Sequence, residues 1–162
     1  MRIVLQRVAN ARVIVDGRIV GEIGPGLVAL VGVTHTDTAG DAERLADKTV
    51  AVRVFANADR PFDLALGGVG GSVLCISQFT LYGDIRRGNR PAWTAAAAPD
   101  HARTVIDTYV AQLRHHQVIV ATGIFGAHMQ VQLENDGPVT LILDSAELSR
   151  PRQRLGSPSP AG

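Results

Sequence analysis

Two short segments carry side chains whose types and spacing can do chemistry. Ser77-Gln78-Phe79-Thr80 ends an apolar run and leads into LYGD, so a hydroxyl, an amide, an aromatic ring and a second hydroxyl meet where a strand should stop. Polar groups at the end of a rigid strand are a common place for binding and catalysis, although an ordinary strand terminus has the same look. Asn135-Asp136-Gly137-Pro138-Val139-Thr140 reads as a tight turn between two apolar strands, and its Gly-Pro pair is either punctuation or a natural site for a cis peptide bond. A third segment, GDIRRGNRP, concentrates Arg86, Arg87 and Arg90, which either grip phosphates or form a solvated surface loop. A basic group in the tail, Arg150, Arg152 and Arg154, is a weaker candidate.

Ordinary catalytic equipment is scarce. The five histidines, His35, His101, His115, His116 and His128, show no H-x-x-x-H spacing, and the single cysteine allows no C-x-x-C, so no metal site and no cofactor is expected. His115 and His116 fall at an expected helix end, where a cation suits the dipole. The glycine run 67–71 lacks the lysine of a phosphate loop. Cys75, inside VLCI, reads as a small core residue, and Ser77 lacks a nucleophile-elbow context. A conventional serine or cysteine hydrolase therefore has little support.

The elements that must hold these segments follow from periodicity. Residues 2–8 and 12–15 are β-branched strands, and Asp16-Gly17 turns the chain into RIVGEI. After Gly24-Pro25-Gly26, LVALVGV is apolar throughout and predicts a strand buried on both faces. From about Thr38 to Val52, Ala42, Leu45, Ala46 and Thr49 recur at helical spacing, with Asp41 and Glu43 near the positive end of the dipole. Residues 56–71 read as loop, and SVLCISQF as a strand. A second helix is expected from Pro99 to His116, with the stripe Ala102, Val105, Ile106, Tyr109, Val110 and Leu113. QVIVAT, HMQVQLE and VTLILD complete the strands.

The 162 residues suit one domain, and 46% hydrophobic against 19% charged residues suits a folded one. A net charge of +1 implies that any nucleic acid is held locally rather than by a broadly basic surface. The single cysteine fits a reducing compartment, MRIVLQRVAN lacks signal-peptide features, and no apolar run reaches the ~20 residues of a membrane helix, so a cytoplasmic protein without membrane or DNA partners is expected. The division expected is a domain over residues 1–145 and a disordered Pro/Ser/Arg-rich tail over 146–162, which holds too little apolar surface to offset its ordering entropy.

MRIVLQRV, GPGLVALVGVT, SQFTLYGD with its Arg-rich continuation, GIFGAHMQV and NDGPVTLILDS together resemble the D-aminoacyl-tRNA deacylase family from Met1 through Ser145. Two of these stretches correspond to the family's S-Q-x-T and N-x-G-P-x-T signatures, in the expected order and without departure. The resemblance implies a compact α/β domain with a barrel-like sheet, two main helices and a homodimeric assembly. It also implies hydrolysis of the ester of D-aminoacyl-tRNA, a chiral proofreading activity, and removal of glycine mischarged on tRNA-Ala. Ser77, Gln78, Phe79 and Thr80 would line the pocket for the aminoacyl ester, and Phe125 and Met129 would lie near the terminal adenine. Gly137-Pro138 would be cis and reach into the partner subunit's site as the chirality filter. Arg7 would brace that motif, with Asn135 and Thr140 in support, and Arg86, Arg87 and Arg90 would meet tRNA. With no His–Ser pair and no base near either motif, the terminal 2′-hydroxyl of the tRNA would assist attack by water. A non-catalytic dimeric module that binds RNA ends is the competing reading.

Overall fold

The computed structural model describes residues 1–86 and 88–148; Arg87 and 149–162, most of the expected tail, lie outside the described residues. The six strands are β1 (Arg2–Val15), β2 (Arg18–Ile23), β3 (Gly26–Gly32), β4 (Ser72–Ser77), β5 (Val120–Thr122) and β6 (Gln130–Asp144). The helices are α1 (Ala39–Ala51), α2 (Pro99–His115) and the single turn α3 (Ser145–Leu148). Helix α3 includes the first three residues of the segment expected to be disordered, 146–148.

β1 organises the sheet. One of its edges pairs antiparallel with β3 over Arg2–Val8 and with β2 over Ala11–Val15, while the other edge pairs with β6 along nearly its whole length. β3 and β4 run parallel, as do β4 and β5. The sheet then curls until β2 approaches β5: a Cβ on Gly21 would lie 2.5 Å from the Thr122 carbonyl oxygen. The result is a nearly closed, barrel-like sheet, as expected.

Alternation along the strands divides the core in two. Val8, Val13, Val28, Leu74 and Ile76 form one cluster. Leu27, Ala29, Val31, Val73 and Cys75 face the other way, into a cluster completed by α1 and α2. Both faces of β3 are therefore covered, which is why its sequence is apolar without alternation.

Helix α1 buries Ala42, Leu45, Ala46 and Thr49, the stripe read from spacing. Asp41 does more than meet the dipole: with Thr38 it closes a reciprocal capping box. Helix α2 begins at Pro99 in its first turn and buries Val105, Ile106, Tyr109, Val110 and Leu113, with Ala102 partly covered. The Thr49 and Tyr109 hydroxyls meet at 2.9 Å between the helices.

Two expectations need correction. Residues 2–8 and 12–15 are one continuous strand, and so are the flanks of Asn135–Thr140. The latter segment is not a hairpin turn, because 130–135 and 140–144 run in the same direction along β1. Val8 pairs with Asn135 and Gln6 with Thr140, so residues 136–139 bulge out opposite Arg7.

Candidate functional site

Ser77 is the last residue of β4, and strand parity turns it toward α2, on the same side as Val73 and Cys75. The chain then leaves the sheet. The Gln78 N–H donates to the Val31 carbonyl at 2.7 Å, and Phe79–Tyr82 form one 3-10 turn. Ser77, Gln78 and Phe79 line a largely apolar cavity of about 380 Å³ together with Trp93, Ile106 and Phe125. Thr80 is exposed, and its Oγ1 accepts a hydrogen bond from the Gln78 side-chain amide.

Sequence reasoning missed several of the cavity's other walls. Trp93 meets the Phe79 ring edge-to-face at 5.2 Å between centroids. Ala96 and Ala97 also line the cavity, and their small side chains take up little of it. A lone tryptophan beside an alanine run, in a loop just before a helix, was the signal available.

Phe125 joins this cavity, but Met129 does not. Met129 packs toward the second core cluster, and its sulfur would lie 2.5 Å from a Cβ placed on Gly123. Arg86 is exposed and bound to Asp84, through Nε at 2.9 Å and Nη2 at 2.6 Å. The Arg86 side chain and backbone N–H hold the Asp84 carboxyl down at about 2. Arg90 is exposed, and Arg87 lies outside the described residues.

The bulge on β6 is a second, separate assembly. Its Gly137–Pro138 peptide is cis, and both residues are exposed and absent from the walls of their own chain's cavity. Asn135 Oδ1 accepts from the Val139 N–H at 2.9 Å, while Asn135 Nδ2 donates to Thr140 Oγ1 at 3.3 Å. Arg7 holds the bulge from the β1 side. Its Nε lies 3.0 Å from both the Asp136 carbonyl and the Asp136 carboxylate, and Nη1 donates to the Val54 carbonyl. Arg7, Asn135 and Thr140 thus converge on one loop.

Cys75, packed in the core cluster that α1 and α2 complete, is a buried thiol pushed up to about 12 by desolvation, with the negative field of Asp107 adding to it. A neutral, enclosed thiol is a poor nucleophile. The folded protein should resist iodoacetamide at neutral pH and react only once unfolded. Rapid labelling of the native protein with loss of activity would reverse that conclusion. Among the described residues, no group of three or more His, Cys, Asp or Glu could hold a metal ion, and no helix is long and apolar enough to cross a membrane.

The family described as D-Tyr-tRNA(Tyr) deacylase matches residues 4–144. The chain belongs to that deacylase family. A Chloroflexus aurantiacus relative named D-aminoacyl-tRNA deacylase is 55% identical over 157 residues, covering 97% of this chain and 98% of its own. A Thermus aquaticus deacylase is 53% identical, over 91% of this chain and 97% of its own. Among solved structures, the c-Myc DNA Unwinding Element Binding Protein superposes with a TM-score of 0.83 at 34% identity, covering 89% of this chain and 98% of the other. A probable eukaryotic D-amino acid tRNA deacylase reaches a TM-score of 0.75 at 16% identity over 88% and 97% of the two chains, a likeness of fold. The deacylase family is one of hydrolases, so this chain is an enzyme by membership.

Proposed function

We propose that this deacylase family member hydrolyses the ester of D-aminoacyl-tRNA, with the aminoacyl-adenosine held in the cavity between Phe79, Trp93 and Phe125. The observation that carries this reading is the cavity itself: aromatic and small apolar walls that end in the Ser77–Gln78 strand terminus. Phe125 offers a face for adenine, since base–aromatic stacking is worth about 1–3 kcal/mol per base. Met129, packed against Gly123, supports the Phe125 segment from behind.

Among the described residues the first cavity's walls carry no histidine, lysine or carboxylate, and the carboxylate of the bulge, Asp136, is held by Arg7. Positioning then supplies much of the acceleration, because fixing the reacting groups is worth several kcal/mol. The leading N–H groups of the Phe79–Tyr82 turn are the donors for the tetrahedral oxyanion, and the terminal 2′-hydroxyl of the RNA assists the attacking water. The exposed Gly137-Pro138 bulge has no partner site in its own subunit. In a homodimer it reaches the partner's cavity as a main-chain wall that excludes an L-side chain. Glycine carries no side chain for that wall to reject, so glycine mischarged on tRNA-Ala is a substrate as well.

The test is stereochemical. D-tyrosyl-tRNA should lose its ester on incubation with the protein and L-tyrosyl-tRNA should not, while sedimentation reports a dimer. Binding of both RNAs without turnover would favour a non-catalytic RNA-end module, and tighter binding to DNA than to tRNA would overturn the choice of partner.

Arg86, Arg87 and Arg90 are proposed to approach tRNA phosphates, with Arg86 exchanging Asp84 for a phosphate. Replacing all three by Ala should weaken tRNA binding and flatten its salt dependence, by about 0.7–0.9 in slope per lost contact. An unchanged slope would return them to the solvated surface.

A further inference from the structure

A second cavity of about 380 Å³ lies beside the first and shares Ser77, Ile106 and Phe125 with it. Its character differs. Helix α2 contributes Arg103, Asp107 and Arg114, which at spacings of four and seven share one helix face. The Arg103 guanidinium stacks on the Phe125 ring, 4.6 Å from its centroid. Arg114 makes one long hydrogen bond, to the Val120 carbonyl at 3.4 Å. Among the described residues, no carboxylate lies within ion-pair distance of either arginine. Two guanidinium groups with no ion pair among the described residues thus border a cavity that meets the aminoacyl pocket at Ser77, Ile106 and Phe125.

We propose that this second cavity receives the nucleotide preceding the terminal adenosine, with Arg103 and Arg114 gripping the phosphodiester that joins the two. The inference rests on the deacylase reading and extends it from the ester to the RNA strand. Guanidinium forks match phosphate oxygens, and a guanidinium plane stacked on an aromatic ring forms a platform for a splayed single-stranded base. The Asp107 carboxylate, between the two cations, accepts from a ribose hydroxyl or from the amino group of a cytosine.

The experiment compares three D-tyrosyl esters: of adenosine, of the dinucleotide CpA, and of full tRNA, across a range of salt concentrations. The wild type should gain in kcat/KM from adenosine to CpA. Arg103→Ala and Arg114→Ala should each lose about tenfold on the CpA and tRNA esters relative to the adenosine ester, the loss expected of one charged hydrogen bond. Their salt slopes on tRNA should fall by about 0.7 each, and Arg103→Lys should restore the slope. An equal loss on all three esters would mean that Arg103 merely props Phe125, and no loss would mean that the cavity is unused; either overturns the proposal. Equal wild-type rates on the adenosine and CpA esters would also overturn it while leaving the deacylase reading intact, whereas no wild-type hydrolysis of any ester would overturn that reading too.

Discussion

Gly137→Ala should lose at least about tenfold in turnover of D-aminoacyl-tRNA, erode discrimination against the L-ester, and lower the melting temperature. Gly137 has φ +137°, a region that side-chain-bearing residues rarely enter. A Cβ there would lie 2.7 Å from Val139 Cγ2, 2.8 Å from the Val139 nitrogen and 3.2 Å from Arg7 Nη2. Backbone strain of this kind costs about 1–3 kcal/mol. The closest contacts are to the next turn of the bulge and to the arginine that braces it, so relief displaces the motif rather than a remote side chain. Displacing a positioning group by even ~1 Å can cost about 100-fold in rate. Gly24→Ala is the control: a Cβ there meets nothing within 4 Å, and little change is expected. Deacylation assays on both stereoisomers, with thermal melts of both variants, decide the matter. Wild-type rate and selectivity in Gly137→Ala would reduce the bulge to an irregularity of β6.

The second large effect separates protein chemistry from RNA chemistry. D-aminoacyl-tRNA ending in 2′-deoxyadenosine, acylated on the 3′-oxygen, should bind normally and hydrolyse at least about 100-fold more slowly, the usual cost of deleting a transition-state group. Thr80→Ala should keep substantial activity. The Thr80 hydroxyl accepts a hydrogen bond from the Gln78 amide, which draws electron density away from Oγ1 and removes no proton from it. Exposed, outside the cavity walls and served by a donor instead of a base, it is poorly placed as a nucleophile. A dead Thr80→Ala enzyme with brisk hydrolysis of the deoxy substrate, or a trapped acyl group on Thr80, would move catalysis onto the protein.

Much of the local structure was legible before folding was considered. Both long helices lie within a residue or two of their expected bounds, because an apolar stripe at 3.6 spacing reports which face a helix buries. Cys75 reads correctly as core from its apolar neighbours. Phe79 and Phe125 were candidates from motif alone, but Trp93, Ala96 and Arg103 were not. Their neighbours in sequence give them no common period, and they reach Phe79, the cavity and Phe125 from a loop and a helix far along the chain.

The sequence by itself determined the two long helices and the faces they bury, the apolar strand segments, and the two signatures that mark the family. Those are short-range properties: alternation along β4 already orients Ser77 with Val73 and Cys75. Only the tertiary structure decided that the Gly137-Pro138 segment is a bulge in a strand that continues past it. A hairpin and a bulge share the same local residues, and what separates them is β1, long enough to pair with both flanks. It likewise decided that Phe125 shares a cavity with Ser77 while Met129 turns to the second core cluster, and that two arginines of α2 line a second cavity that Phe125 also borders. Curling of the sheet and docking of α2 set those distances. Both arise from burial summed over the whole core, which no window of sequence contains.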